Sequence, residues 1–269
     1  MAELSKRMRA VADFVPAGHI AADIGCDHGF VSIFLVERGI CPRVFAADVR
    51  TGPLMRAKEH IDREGLLSYI TPILSDGLKN VPVGGADGAE VMIAAGMGGK
   101  LTIRILSDVP EKTGRLRCAV LQPQSEIALV RRWLSENRFV IAAETMVFEE
   151  GKYYPVLLAC NVSHPENAAL IQRARQRERL LEKRMEEAGF SEAERREAGE
   201  WLGCQLMAAN SSVLSAFLQH TIEKDEGLLE KMPPCETEKG EGDGRIGKRR
   251  AELSDRIELA RKVRGMMEA

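Results

Sequence analysis

Five short apolar runs, each closing on a glycine, an acid or an amide, set the limits on what this chain can fold into. Residues 20–24 run into Gly25-Cys26-Asp27-His28-Gly29, and residues 43–47 end at Asp48. Residues 70–74 precede Ser75-Asp76-Gly77, residues 91–95 precede Gly96-Met97-Gly98-Gly99, and residues 119–121 precede Gln122-Pro123-Gln124. Helical spacing separates these runs. Residues 4–15 place Leu4, Met8, Val11 and Val15 on one side, with Lys6, Arg7 and Arg9 on the other. Residues 30–38 stop at Gly39, a residue type common just past a helix end. Residues 53–64 have Thr51 near the cap, Pro53 in the first turn and Gly65 at the end. A helix over 100–107 follows, and then one with an Ile127, Val130, Leu134 stripe capped by Ser125.

Strands alternating with helices predict an α/β fold, a Rossmann-like, mostly parallel sheet with helices on both faces. Residues 139–148 and 153–161 read as a terminal hairpin that adds antiparallel strands at one edge. Ligands of such sheets bind beyond the carboxyl ends of the strands. The unusual residues above all fall at those ends.

The composition changes after Asn161, which predicts domains at 1–161 and 162–269. Residues 168–189 read as a long solvated helix and residues 201–232 as a second long helical pattern. Pro, Gly and acids over 233–247 predict a mobile linker. A last helix from Lys248 carries Ile246, Leu253, Ile257, Ala260 and Met267 at heptad spacing. The second domain is expected to be an α-helical, coiled-coil-like hairpin.

A net charge of −2 excludes a globally basic nucleic-acid binder. Local excess exists, however: Arg245, Lys248, Arg249, Arg250, Arg256, Arg261, Lys262 and Arg264 stand against Glu252, Asp255 and Glu258. No apolar run approaches the ~20 residues that span a bilayer. The start lacks the apolar stretch of a secretory leader, so a cytoplasmic protein without membrane association or an obligate protein partner is expected. The six cysteines show no CxxC pair and no zinc spacing with histidine, so buried thiols and no metal are expected.

Gly25 and Gly29 bracket a tight strand-to-helix turn. Nicotinamide-dinucleotide turns carry a middle glycine that cradles pyrophosphate. Here Asp27 and His28 fill the loop, and an acid repels pyrophosphate but suits a sulfonium or amine. That tilts the ligand from a dinucleotide toward S-adenosylmethionine, although the segment alone also fits an ordinary turn. Asp48 lies about 20 residues beyond the turn, where acids accept ribose hydroxyls; it equally fits a helix-start carboxylate. Asp76 suits an adenine amine or a plain Asp-Gly turn. The glycines around Met97 leave backbone open to a flat ligand, and Gln122 supplies an amide that donates and accepts.

Together Leu4-Ser5-Lys6-Arg7, Ala22-Asp23-Ile24-Gly25-Cys26-Asp27-His28, Ser75-Asp76-Gly77-Leu78, Ala95-Gly96-Met97-Gly98-Gly99 and Leu121-Gln122-Pro123 resemble the bacterial tRNA methyltransferase family that modifies N1 of adenine 22. The likeness extends to about Asn161. It implies a class I methyltransferase domain, S-adenosyl-L-methionine as cofactor and tRNA as partner. It also implies that Asp23, Gly25, Asp27, His28, Asp48, Asp76, Gly77, Leu78, Gly96 and Met97 hold the cofactor, with Asp27 catalytic beside the transferred methyl. Gly98, Gly99, Gln122 and Pro123 would flank the extruded base, and Lys6, Arg7 and Arg9 would meet phosphates. A dehydrogenase, a methyltransferase acting on another RNA, a protein or a small molecule, and a non-catalytic RNA-binding protein are the alternatives.

Overall fold

The computed structural model describes residues 4–233 and 241–268. The chain divides into two compact units, Met1–Arg177 and Glu178–Ala269. In the first, helix α1 (Lys6–Asp13) precedes β1 (Ala21–Ile24), α2 (Phe30–Glu37), β2 (Val44–Asp48), α3 (Thr51–Arg63) and β3 (Ile70–Leu74). Then come β4 (Val91–Met97), α4 (Gly99–Asp108), α5 (Pro110–Thr113), β5 (Cys118–Pro123), α6 (Ile127–Glu136), β6 (Phe139–Glu149) and β7 (Lys152–Asn161).

The strands form one sheet in the order β3-β2-β1-β4-β5-β7-β6. Strands β1 to β5 are parallel; β7 runs against both β5 and β6. So β6, the outermost strand, runs with the body of the sheet, and only β7 is reversed. The hairpin outgrows its neighbour, because β5 pairs with β7 only over Leu157 to Cys160. Its tip therefore projects past the carboxyl end of β5.

The central strands are buried on both sides, as parallel strands must be when helices cover each face. Along β1, Ala21 packs into one core and Ala22 into the other. Helices α1, α2 and α3 supply Val11, Phe34 and Ala57 to the first core. Helices α4 and α6 supply Ile105 and Val130 to the second. Cys26, Cys41, Cys118 and Cys160 are buried thiols, and Cys235 lies outside the described residues. No helix among the described residues is long and apolar enough to cross a membrane.

Helix α7 (Ala168–Glu187) contains the boundary between the units, at Arg177, beyond the residue 161 expected from composition. Its first half stays with the sheet: Ile171 joins the first core, and Arg177 donates to the Ala142 carbonyl at 2.6 Å. The second unit holds α8 (Glu192–Leu202), α9 (Cys204–Ala208), α10 (Ser212–Lys231) and α11 (Glu241–Glu268). The long pattern expected over 201–232 is broken in two places, at Gly203 (φ 94°) and Asn210 (φ 51°), conformations that end a right-handed helix. Of the expected 233–247 linker, residues 234–240 lie outside the described residues, and helix begins at Glu241.

Helices α10 and α11 are antiparallel: Arg250 meets the Leu229 carbonyl, Arg256 meets Asp225, and Arg264 meets Gln219. Leu253, Ile257, Ala260 and Met267 of the heptad reading are buried, joined by Val263 and Met266. Arg256 grips Asp225 with two bonds of 2.6 and 2.7 Å. The Asp225 side chain is 1% exposed and that of Arg256 37%. Removal of the two partners should therefore be unequal. Arg256→Met strands a buried carboxylate and should cost about 3–5 kcal/mol. Asp225→Asn leaves a cation that water still reaches and should cost clearly less. Urea unfolding of both variants checks the order.

Candidate functional site

Strand β1 lies between β2 and β4, and the chain winds outward from it in both directions. That reversal opens a crevice at the carboxyl ends. A cavity of about 500 Å³ fills it, lined by Gly25, Asp27, Asp48, Asp76, Gly77, Gly96 and Met97 from the strand ends. Arg7, Arg50, Arg104 and Gln124 complete the wall. The volume suits one small organic ligand.

The turn after β1 is built from alternate left-handed residues: Gly25 (φ 73°), Asp27 (φ 49°) and Gly29 (φ 73°). The N–H groups of Gly25 and Cys26 both donate to the Ala47 carbonyl, at 2.8 and 3.0 Å. A Cβ on Gly29 would stand 3.2 Å from Ala57 Cβ, so the turn rests directly on α3. Asp27, an acid tolerated in this region of backbone space, carries a carboxylate that is 60% exposed. One oxygen lies 3.7 Å from His28 Nε2 and the other 3.8 Å from Arg56 Nη2. The His28 ring stacks with Phe30 and His60 and does not reach the cavity wall. His60 Nδ1 donates to the His28 carbonyl at 3.0 Å.

The remaining acids have separate environments. Asp48 is buried at the end of β2 and accepts the Arg50 N–H at 2.9 Å. Asp76 accepts Lys79 Nζ at 2.7 Å and Arg104 Nη2 at 2.9 Å. The hydrogen bond from Lys79, with Arg104 beside it, holds the Asp76 carboxyl below the usual range. Asp23 sits behind the wall, accepting Ser32 Oγ at 2.7 Å. Burial pushes its carboxyl up to about 6, against the opposing pull of that hydroxyl. Gly77 (φ 61°) would place a Cβ 2.9 Å from Ile105, so no side chain fits there. The Leu78 side chain is fully buried in the core, and its carbonyl accepts Lys112 Nζ.

Arg7 behaves differently from the solvent-facing phosphate contact expected of it. Its Nη1 donates to Gln122 Oε1 at 3.1 Å, its Nε lies 3.8 Å from Glu149, and its guanidinium covers the Tyr154 ring at 5.0 Å. It is a wall of the cavity, reached from both α1 and the projecting hairpin. The Gly96 N–H also donates to Gln122 Oε1, at 3.0 Å. Two donors on one oxygen fix the amide, and Gln122 Nε2 is left buried without a partner among the described residues. Such an orphan donor calls for a reason.

Gly98 and Gly99 do not line the cavity; a Cβ on Gly99 would stand 2.5 Å from the Ser125 carbonyl. They let α4 press against the turn after β5. Pro123 is buried at the end of β5. Arg9 pairs with Asp13 at 2.8 Å and covers the Phe34 ring, while Lys6 is exposed. Arg50, Arg56 and Arg104 escaped the sequence reading. Each is an ordinary surface arginine in the sequence, and only the fold gathers them at the mouth.

Residues 4–157 match the family model of the methyltransferase domain. The tRNA (adenine(22)-N(1))-methyltransferase of Bacillus subtilis is 36% identical over 158 residues, 58% of this chain and 65% of that enzyme. The chain thus spans just under two thirds of that relative's length. The crystal structure of the B. subtilis tRNA methyltransferase TrmK has a TM-score of 0.74 at 28% identity, covering 98% of this chain and 99% of that one. A putative tRNA methyltransferase of Streptococcus pneumoniae, in complex with S-adenosyl-L-methionine, gives 0.73 at 28%, covering 97% and 99%.

The raised Asp23 predicts a pH dependence of stability. The folded protein binds this proton more tightly than the unfolded chain. Its contribution is complete below the unfolded value of 3.8 and is lost as pH rises through about 6. The loss is on the order of 3 kcal/mol. Asp23→Asn should therefore flatten the fall in melting temperature between pH 4 and pH 7, read by thermal unfolding of the ligand-free protein.

Proposed function

The chain belongs to the methyltransferase-domain family, and on that premise we propose that it transfers a methyl group from S-adenosylmethionine to N1 of adenine 22 in tRNA. The observation that carries the reading is the cavity at the sheet's switch point, with one acid at the end of β2 and another on the left-handed turn after β1.

The donor set fits the cofactor. Asp48, buried and acceptor-only, suits the two ribose hydroxyls. Asp76, beside Gly77, suits the adenine amine. Arg7, which lines the cavity and is held there by the buried Gln122 amide behind it, offers only donors, the chemistry that a methionyl carboxylate needs. Gly25 favours glycine because its backbone is left-handed (φ 73°), and a Cβ there would also crowd the end of the Met97 side chain at 3.2 Å.

S-adenosylmethionine supplies an electrophilic methyl on a sulfonium. In-line displacement needs no further activation of that carbon, so holding the acceptor in line supplies much of the rate. Adenine N1 attacks with its ring lone pair, and alkylation leaves a cationic base. The Asp27 carboxylate stabilises that charge or takes the N6 proton, the two ways an acid beside the base can serve the step. The target base must first be turned out of the folded RNA, at a cost of a few kcal/mol. Its site of action is the cytoplasm, where tRNA is matured.

Incubation with labelled cofactor and unmodified bacterial tRNA should yield 1-methyladenosine, lost when adenine 22 is replaced. Cofactor binding without labelled tRNA would leave the methyltransferase and overturn the acceptor. Asp27→Asn should reduce kcat at least ~100-fold while calorimetry still registers cofactor binding; near-normal turnover would remove Asp27 from catalysis. Arg7→Met should raise the cofactor Kd about 10–100-fold, the loss of a charged hydrogen bond.

A further inference from the structure

Asp27 has a cationic neighbour that the reaction as described does not use. Arg56 Nη2 stands 3.8 Å from one Asp27 oxygen, and the Arg56 side chain is 49% exposed. The separation exceeds hydrogen-bond reach, and both partners face water. The backbone that carries the arginine is nonetheless fixed beside the turn. The next residue, Ala57, is the one on which the Gly29 turn rests. The guanidinium folds back over the first turn of α3, where a Cβ on Gly52 would stand 3.8 Å from Nη1.

Other cations at the mouth are committed elsewhere. Arg104 is bonded to Asp76 at 2.9 Å, and Arg7 is spread over Gln122, Glu149 and Tyr154. Arg50 accompanies Asp48, at the ribose end. Arg56 alone among these rests against the carboxylate assigned to the target base. Arginine forms two parallel bonds to a phosphate, a geometry that its loose contact with Asp27 does not achieve.

We propose that Arg56 is a substrate-positioning residue that leaves Asp27 for a backbone phosphate flanking the target adenosine when RNA enters the site. The proposal rests on the tRNA-methylating reading above. The exchange couples two events. As the guanidinium moves to the phosphate, the Asp27 oxygen it faced becomes available to the extruded base. The free site keeps its carboxylate accompanied, and the seated RNA uncovers it.

The test pairs a protein change with an RNA change. Full-length tRNA is assembled by ligation with a neutral methylphosphonate at the phosphate 5′ or 3′ of adenine 22, one at a time. With the wild-type protein, one of the two substitutions should lower kcat/KM about 10–100-fold. With Arg56→Gln, the same methylphosphonate should lower kcat/KM by no more than about a further twofold, because the contact is already gone. Arg56→Gln should act mainly by raising KM for tRNA, and the slope of log KM against log salt should fall by about one. Arg56→Lys should recover part of the loss, keeping the charge without the fork. If Arg56→Gln retains the full methylphosphonate penalty at both positions, the proposal fails while the methylation reading stands. If Arg56→Gln instead weakens cofactor binding and leaves the RNA penalty intact, the arginine serves the cofactor and the proposal is overturned. Absence of methylation of unmodified tRNA by the wild-type protein would sink both readings.

Discussion

The three left-handed residues after β1 hold the mouth of the cavity together. Two N–H groups of that turn share the Ala47 carbonyl, so the turn is tied to β2 before it reaches α2. Gly29 then lies on Ala57, which ties it to α3. An ordinary residue at Gly25 or Gly29 would need a left-handed backbone, and at Gly29 its Cβ would also press on Ala57 at 3.2 Å. Asp27 is the one side chain carried on this turn at positive φ, and the turn is what aims it at the cavity. Backbone held in a sparsely populated conformation is found where the surroundings over-determine it. The ties to β2 and α3 are those surroundings.

The same economy explains the second wall. Gln122 is fully buried, which for an amide requires partners. Its oxygen has two, the backbone of Gly96 and the guanidinium of Arg7. Arg7 in turn joins α1 to the hairpin through Glu149 and Tyr154. The N-terminal helix is therefore part of the site's construction, and the hairpin's length beyond β5 acquires a purpose. It carries Glu149 and Tyr154 out to where Arg7 waits.

The sheet was legible in the sequence because each strand is a short apolar run with a conspicuous stop. Fully buried parallel strands leave little room for polar residues, so those that do occur fall at the ends, where the ligand sits. Gly25, Asp27, Asp48, Asp76 and Gly96 all reach the cavity wall for this reason. What the sequence hid depends on contacts between distant segments. Nothing local separates Arg7 from Lys6 or Arg9, yet one is enclosed by two elements and the others face solvent. Leu78 and Gly99 share segments with residues that line the cavity but turn into the core and onto the neighbouring loop. The helical unit was harder still. Breaks at Gly203 and Asn210 are single-residue events inside an otherwise continuous apolar pattern, and periodicity averages over them.

On the tRNA-methylating reading proposed above, a chain with a net charge of −2 must still meet a polyanion. The mouth reconciles the two by accompanying its cations with acids: Arg56 with Asp27, Arg104 and Lys79 with Asp76, Arg50 with Asp48. The pairs on Asp27 and Asp76 are exposed to water on both sides and stabilise the fold very little. The Arg56–Asp27 pair is better understood as charge that changes partner. On the methyltransferase reading, a cofactor bearing a sulfonium and an amine would find acids in the cavity, and Arg56, once released from Asp27, would become available to phosphate. A uniformly basic rim would hold RNA as firmly before the cofactor arrives as after, and it would repel the cationic donor. Paired charges at the mouth would avoid both costs, so the local balance there suits a site that handles a cation and a polyanion together.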